Sequence, residues 1–328
     1  MLSACAVLRR AIDPNSSGVQ VPSRSQSGPG KVGPERPDGF SALSVDVEDY
    51  FQVEAFARLA PRETWENYPS RVEANTRRLL DRFDEWNARG TFFTLGWVAR
   101  RHPALVREIV ARGHELASHG MDHRMLNEQT PESFRSDARD SRRILEDIGG
   151  VPVIGFRAPS YSVNRATLWA IDVLEETGYA YDSSVYPIRR RRYGYPEGPV
   201  LPTVMQGVKR PLPEFPLPTV GLGPLRLPVL AGAYLRLLPA WVSTAAARGF
   251  LDRRVPFVVN VHPWEIDPAQ PTLGGRRSRT WTHYARLDRT EEILGRVLRL
   301  AVFRSVADRL RELGLLARDS GASAKGAT

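Results

Sequence analysis

Two histidines in the sequence His119-Gly-Met-Asp-His123 have a spacing that suits metal binding. Residues four apart lie on one face of a helical turn, so both imidazoles can bind one cation. The pair directly follows residues 114–118, which have the pattern of a short strand. We therefore expect a metal site at the carboxyl end of a strand, where α/β barrels place their functional residues.

Three carboxylates cluster at Asp46, Glu48 and Asp49, again at the end of a strand-like segment, 41–47. Carboxylates this close repel one another unless a cation or a basic partner offsets their charge. With the histidines they complete the His₂-carboxylate set of zinc hydrolases, which keep one coordination position open. Strand alternation puts Asp46 and Glu48 on one face, which favours Glu48 as the ligand. A turn beginning at Val47 would bring in Asp49 instead, so both remain candidates.

Two further polar residues follow strand patterns. His262 follows the apolar run 257–261, and a histidine in this position is a candidate proton donor. Arg157, in Arg157-Ala-Pro-Ser-Tyr161, also lies just past a strand, where its guanidinium can orient a buried carboxylate through a bidentate pair. The alternatives are a histidine packed under Trp264 and an arginine with a structural role.

Strands that alternate with helices must position these residues. Helical periodicity covers 70–88, 103–112, 131–148, 164–177, 234–248 and 290–315, the last as one or two helices. This alternation predicts parallel βα units in a doubly wound sheet or a barrel. The proline-rich stretch 187–228 breaks the pattern and predicts a long irregular loop.

Composition limits the class of protein. The 328 residues include 42% hydrophobic residues, which excludes a wholly disordered chain, and one cysteine, which excludes a disulfide framework or a cysteine-rich metal site. The net charge of +9 comes mainly from arginine. Residues 1–38 and 318–328 are polar and aperiodic and predict disordered tails around a barrel at 39–317, whose carboxy-terminal extension starts near 187.

The sequence contains no apolar run of the roughly 20 residues that span a bilayer. The tetrapeptide Leu2-Ser-Ala-Cys5 resembles a lipoprotein cleavage box, but only Met1 precedes it, so it lacks the charged and apolar regions of a signal. We expect a cytoplasmic protein, or one at the inner face of the membrane.

The order of these motifs resembles the polysaccharide deacetylase family, the NodB-homology or carbohydrate esterase 4 group, over residues 40–265. More narrowly, four segments resemble the branch associated with exosortase-linked exopolysaccharide loci. They are Ser44-Val-Asp-Val-Glu-Asp-Tyr-Phe51, His119-Gly-Met-Asp-His123, Phe156-Arg-Ala-Pro-Ser-Tyr161 and Asn260-Val-His-Pro-Trp-Glu265.

The resemblance implies a distorted (β/α)₇ barrel and a metal-dependent deacetylase of N-acetylated sugars. It implies that Asp46 is the catalytic base, that His262 is the catalytic acid and that Arg157 holds the base. His119 and His123 match the metal-binding histidines of the family. Asp182, in Tyr181-Asp-Ser-Ser184, matches the carboxylate that tunes the acid histidine.

Two departures from the family pattern affect the site residues. The usual adjacent aspartates are replaced here by Asp46-Val-Glu48-Asp49, so either Glu48 or Asp49 is the third metal ligand. The arginine motif has an added Ser160, so the backbone N–H that contacts the oxyanion belongs to Ser160 or Tyr161.

The implied cofactor is a divalent metal, with zinc favoured for a His₂-carboxylate set and cobalt or nickel as alternatives. The implied partner is an N-acetylated glycan or its lipid-linked precursor, with Trp264 and Tyr161 among its contacts. The arginine run 189–192 is solvated or binds an anionic polymer or lipid headgroups at a membrane; we expect no nucleic acid. The rival functions are a small-amide hydrolase and an inactive carbohydrate-binding homologue.

Overall fold

The structure is a computed structural model that describes residues 40–190, 193–222, 225–274 and 277–318. The tails expected at 1–38 and 318–328 fall outside these ranges, apart from Arg318. Within the described ranges, no helix is both long enough and apolar enough to cross a membrane.

Strands of the described residues fall into a large sheet and a small hairpin. In chain order they are β1 (Ser41–Val47), β2 (Thr91–Thr94), β3 (Glu115–Ser118), β4 (Gly155–Phe156), β5 (Tyr181–Asp182), β6 (Thr203–Gln206), β7 (Pro211–Glu214), β8 (Thr219–Leu222), β9 (Leu225–Pro228) and β10 (Phe257–Val261). The large sheet has the order β10-β1-β2-β3-β4-β5-β7-β6, and only the β6–β7 pair in it is antiparallel. This curled sheet with its helices confirms the predicted distorted barrel.

Helices connect the strands and cover the sheet. They are α1 (Val72–Glu85), α2 (Gly96–Arg101), α3 (Pro103–Ala111), α4 (Pro131–Gly149), α5 (Trp169–Glu176), α6 (Ala233–Leu237), α7 (Ala240–Asp252), α8 (Arg277–Tyr284), α9 (Leu287–Leu298) and α10 (Val306–Glu312). Helix α4 shows why helical periodicity predicted these helices from the sequence. The Thr130 side chain caps its first turn, Gly150 ends it with a φ of 68°, and Phe134 and Leu145 are buried on one face. Each such apolar side chain contributes about 1.5–3 kcal/mol on burial.

The prediction of an irregular loop over 187–228 is wrong. Strands β6 to β9 lie in this stretch, and β7 extends the large sheet through the pairing of Glu214 with Asp182. Proline has no N–H for a strand ladder, so Pro211 and Pro213 hid β7 from the sequence pattern. The helix predicted at 234–248 is also divided, into α6 and α7, at Leu238 and Pro239.

Candidate active site

Strand register brings the candidate site residues to one edge of the large sheet. Val45 of β1 pairs with Val261 of β10, and Ser118 of β3 pairs with Phe156 of β4. Since these strands are parallel, their carboxyl ends meet at the same edge. The site residues at or just beyond these ends are Asp46, Glu48, His119, Arg157 and His262.

Glu48, His119 and His123 form a buried cluster in which one ligand atom from each lies within 4.8 Å of the others. The Nε2 atom of His123 lies 2.8 Å from Oε2 of Glu48. That carboxylate oxygen is buried, and this imidazole is the contact it has among the described residues. A buried carboxylate beside two imidazoles fits the donor set of a divalent cation.

The protonation states of Glu48 and His119 favour cation binding by the cluster. Burial lowers the pKa of His119 to about 4, so its ring is neutral at pH 7. Its Nδ1 atom lies 2.8 Å from the carbonyl oxygen of Arg157, which directs Nε2 toward the cluster. Burial raises the pKa of Glu48, but the contact with His123, together with the nearby His262 and His119, outweighs burial and brings the pKa to about 2. Glu48 is therefore an anion and His119 a neutral donor, as metal ligands must be.

The segment from His119 to His123 is a loop, so the helical turn predicted from its spacing is wrong. Gly120 and His123 both have left-handed backbones, with φ values of 78° and 53°. Arg62 holds the loop: its Nε donates to the Asp122 carbonyl at 2.7 Å and its Nη2 to the His123 carbonyl at 3.0 Å. The two imidazoles converge through this loop, with ring centroids 5.3 Å apart.

Asp49 does not join the histidines, which corrects the alternative that it is the metal ligand. Its Oδ2 atom accepts from Ser70 Oγ at 2.7 Å, Arg71 N at 2.9 Å and Val72 N at 3.1 Å. A carboxylate is stable there because the first N–H groups of α1 have no partners within the helix. This capping role leaves Glu48 as the candidate ligand.

Asp46 is buried and surrounded by donors. Its Oδ1 accepts from Arg157 Nη1 at 2.7 Å, and its Oδ2 accepts from the Tyr161 hydroxyl at 3.0 Å and Asn260 Nδ2 at 3.1 Å. Burial raises the pKa of Asp46, but the charge of Arg157 and the other contacts hold it well below its usual range. The contact with Arg157 is not the bidentate pair we expected, because its Nε and Nη2 donate to Ser183.

His262 faces the carboxylates with one ring nitrogen and is held by the other. Its Nε2 lies 3.5 Å from Asp46 Oδ2 and 3.7 Å from Glu48 Oε1, while its Nδ1 lies 3.0 Å from Glu265 Oε2. Burial lowers the pKa of His262, but the contacts with Asp46 and Glu265 raise it to about 10. The sequence analysis did not identify Glu265. The signal was available: a carboxylate three residues after His262, with Pro263 between them, is a capping pattern.

Among the described residues, the partners of Asp182 do not include His262, which corrects its predicted role. Its Oδ1 accepts from Ser184 Oγ, and it lies opposite Glu214 in the β5–β7 pairing. Burial raises the pKa of Asp182 to about 6, and burial with the adjacent Asp182 raises the pKa of Glu214 well above its usual range. These two carboxyls belong to the strand pairing, and Glu265 occupies the position on His262 that we assigned to Asp182.

Trp264 is not available as a sugar-binding platform. Its ring stacks on His262 and on His283, with centroid separations of 5.2 and 4.1 Å, and it is 6% exposed. A ring this deeply buried is not accessible to a sugar. Its Nε1 instead donates to Glu48 Oε1 at 3.1 Å, so it orients the candidate ligand from behind.

The loop that carries Ser160 and Tyr161 has two consecutive left-handed residues, with φ values of 54° and 53°. Such backbone strain is typical of functional loops. The Tyr161 N–H donates to the Ala158 carbonyl at 3.0 Å, so this N–H is already engaged. The oxyanion contact from this loop therefore remains a prediction for Ser160, while Tyr161 contacts Asp46 through its hydroxyl.

Comparisons with known proteins match two regions of the chain to family models. The sequence profile of the polysaccharide deacetylases matches residues 63–181, and that of a domain of unknown function, DUF3473, matches residues 183–311. Residues 63–181 thus form a polysaccharide deacetylase domain. This confirms the family that the motifs predicted.

Relatives of the deacetylase domain come from several bacteria. A peptidoglycan-N-acetylglucosamine deacetylase of Bacillus cereus is 30% identical over 104 residues, 32% of this chain and 47% of the relative. The chain thus spans about half the length of that relative. A chitooligosaccharide deacetylase of Rhizobium leguminosarum bv. trifolii is 26% identical over 55% of this chain and 84% of the relative.

The fold also matches a solved structure. A crystal structure titled as a putative polysaccharide deacetylase from Mycobacterium smegmatis aligns with a TM-score of 0.56 and 20% identity. The alignment covers 92% of this chain and 99% of that one, so the shared fold includes the DUF3473 region.

Proposed function

We propose that this protein is a metal-dependent deacetylase that hydrolyses N-acetyl groups of a polysaccharide or its precursor and releases acetate. One observation carries the proposal. The candidate metal-binding cluster of Glu48, His119 and His123 lies beside Asp46 and His262. Asp46 is fixed by its hydrogen bond from Arg157, and His262 by its contact with Glu265. Hydrolysis of an unactivated amide requires these three functions in one place: carbonyl polarisation, a base and an acid.

Asp46 and His262 divide the proton transfers. Asp46 accepts the proton of the attacking water, and the oxygen forms a bond to the acetyl carbon. His262 then delivers a proton from Nε2 to the nitrogen as the C–N bond breaks, which leaves acetate and a free amine. Arg157 keeps Asp46 ionised and oriented, since it donates to Oδ1 and leaves Oδ2 facing His262.

Glu48, His119 and His123 would hold the metal. A divalent metal bound there supplies Lewis-acid polarisation of the amide carbonyl and lowers the pKa of water. Two imidazoles and one carboxylate favour zinc, and cobalt and nickel are alternatives. Asp46 stays outside this set because its oxygens are already bound by Arg157, Tyr161 and Asn260.

The substrate class we propose is an exopolysaccharide or its lipid-linked precursor. The motif resemblance to the exosortase-associated branch supports it. A cavity of about 190 Å³ adds physical support, because it opens beside His123 and its lining combines polar side chains such as Arg62 and Glu63 with the edges of Phe51 and Trp65. A small, mainly polar hollow beside a candidate metal ligand suits the hydroxyl groups of a neighbouring sugar ring.

We further propose a cytoplasmic protein that meets its substrate at the inner face of the membrane. Arg189 and Arg190 are exposed and support a contact with anionic headgroups, while Arg191 and Arg192 lie outside the described residues. We expect no nucleic-acid partner.

The test is acetate release from N-acetylglucosamine oligomers and from exopolysaccharide precursors, with and without a chelator. His119→Ala should abolish release and bound metal together. His102→Ala is the matched control, since His102 contacts Glu73 and Ser70 away from the cluster. We expect it to retain wild-type activity.

Two outcomes would contradict the proposal. Wild-type protein with one bound metal and no release from any acetylated glycan would favour a small-amide hydrolase. Neither release nor bound metal would favour an inactive carbohydrate-binding homologue.

A further inference from the structure

Arg236 is a fully buried arginine far from the sequence motifs, on the short helix α6. Its Nε donates to the Ala285 carbonyl at 3.0 Å, and its Nη2 donates to the Thr282 and His283 carbonyls at 2.7 and 3.0 Å. Its Nη1 donates to Oε1 of Glu265. Every nitrogen of the guanidinium is thus engaged, so the last turn of α8 and the residue after it, together with Glu265, set the position of Arg236.

Glu265 connects Arg236 to the acid histidine. While Oε1 accepts from Arg236, Oε2 accepts from the His262 backbone N–H at 3.1 Å and faces His262 Nδ1 at 3.0 Å. Both Glu265 and Arg236 are fully buried. A carboxylate on Nδ1 determines which ring nitrogen carries the fixed hydrogen and which one faces the reaction.

Stacking restricts the remaining motion of the ring. His262 stacks on Trp264 at an interplanar angle of 25°, and the Arg236 guanidinium lies over the same indole, 5.3 Å from its centroid. A buried ion pair rarely increases stability over an apolar pair of the same shape, because desolvation offsets the attraction. Its presence here therefore calls for a reason other than stability.

We propose that Arg236 and Glu265, both in the region matched by the domain of unknown function, are positioning residues that hold His262 with Nδ1–H on Glu265 and Nε2 toward Asp46. The expected effects on kcat rest on the proposed function. The contacts among Arg236, Glu265 and His262 do not depend on it. The DUF3473 region would thereby complete the active site rather than merely follow it.

The kinetic test compares Glu265→Gln with Glu115→Gln. Glu115 is a second carboxylate with protein partners, Thr91 and Tyr181, at the amino end of β3. We expect Glu265→Gln to lower kcat at least about 100-fold with KM and bound metal unchanged, by analogy with other carboxylate–histidine pairs. Glu115→Gln should alter stability alone.

A double-mutant cycle tests whether Arg236 acts through Glu265. We expect Arg236→Met to lower kcat, and Arg236→Met with Glu265→Gln to lower it no further than Glu265→Gln alone. Additive losses in kcat, or wild-type kcat in Glu265→Gln, would overturn the inference and leave the proposed function intact.

The spectroscopic test needs no activity. In wild-type protein we expect the His262 Nδ1 proton to give a downfield NMR resonance typical of a hydrogen bond to carboxylate. It should shift upfield in Glu265→Gln and stay in place in Glu115→Gln. An unchanged resonance in Glu265→Gln overturns the inference, even if the wild-type protein proves inactive on every glycan and the proposed function fails.

Discussion

The amino-terminal region, 40–182, and the carboxy-terminal region, from 183 onward, contribute differently to one site. The amino-terminal region supplies Asp46, the Glu48–His119–His123 cluster and Arg157 from the carboxyl ends of the parallel strands β1, β3 and β4 and the loops after them. The carboxy-terminal region supplies His262 from β10, which returns to pair with β1. The candidate metal cluster and the candidate base therefore lie in one region, and the candidate acid, His262, comes from a segment distant in the chain.

The difference shows how a site can be divided by task. The amino-terminal region would bind the metal and activate water, since it places the carboxylate of Glu48 beside the neutral imidazole of His119 and the ring of His123. The carboxy-terminal region would hold the proton for the leaving group. Substitutions in the two regions should therefore separate metal binding from proton transfer.

The largest effect should come from His262→Ala. We expect a loss of about 10²- to 10⁴-fold in kcat, the range of general acid catalysis, with metal content unchanged. Acetate release and elemental analysis on the same samples measure both quantities. If His262→Ala instead loses its metal, the two regions are not divided as we argue.

A second comparison uses the adjacent carboxylates Glu48 and Asp49. We expect Glu48→Gln to weaken metal affinity at least about 100-fold. Loss of a group that orients a metal ligand lowers the affinity by up to this factor, and loss of the ligand itself should lower it at least as much. Asp49→Asn should keep the metal and lose about 1 kcal/mol of unfolding free energy, since it weakens a helix cap. Chelator competition and urea unfolding measure these changes. The reverse pattern would make Asp49 the ligand.

A smaller effect should follow Trp264→Phe, which keeps the stacking on His262 and removes the N–H that donates to Glu48. We expect metal affinity to fall about 10-fold, as for other groups that orient a ligand. Trp281→Phe is the matched control because Trp281 is 57% exposed. Equal affinities in the two variants would show that the carboxy-terminal region does not support the metal cluster.

The smallest effect concerns His114, which lies in the amino-terminal region but at the opposite end of β3 from His119. Burial lowers the pKa of His114 from 6.5 to about 4, so the folded protein favours the neutral ring. Its contribution to stability is present above pH 6.5 and is lost as the pH falls toward 4. We expect a loss of about 0.7 kcal/mol between pH 7 and pH 6.

His114→Asn isolates this contribution. An asparagine oxygen can replace Nδ1 as the acceptor for the Gly90 N–H, a contact of 3.2 Å, but it does not titrate. The difference in unfolding free energy between wild type and variant should therefore depend on pH in that window. A constant difference would show that His114 does not titrate as its burial requires.

The sequence predicted the amino-terminal region better than the carboxy-terminal one. Helices such as α4 carry their own caps and apolar faces, so their limits depend on neighbouring residues alone. Strand β7 was missed because its prolines suppress the pattern and its partner, β5, lies far away in the chain. The helical turn at His119–His123 was wrong because Arg62, over 50 residues earlier, holds the loop through its carbonyls.

The same distinction applies to the site. Residue types, their spacing and their positions at strand ends determined that Asp46, His119, His123, Arg157 and His262 would meet, because parallel strands present their carboxyl ends together. Which carboxylate turns toward the histidines was a matter of tertiary structure, since Asp49 is drawn to the first turn of α1. Tertiary structure also decided that Glu265, and not Asp182, is the partner of His262. Packing between distant segments decides which polar groups remain free. Short-range sequence patterns cannot predict that packing, because it depends on residues far apart in the chain.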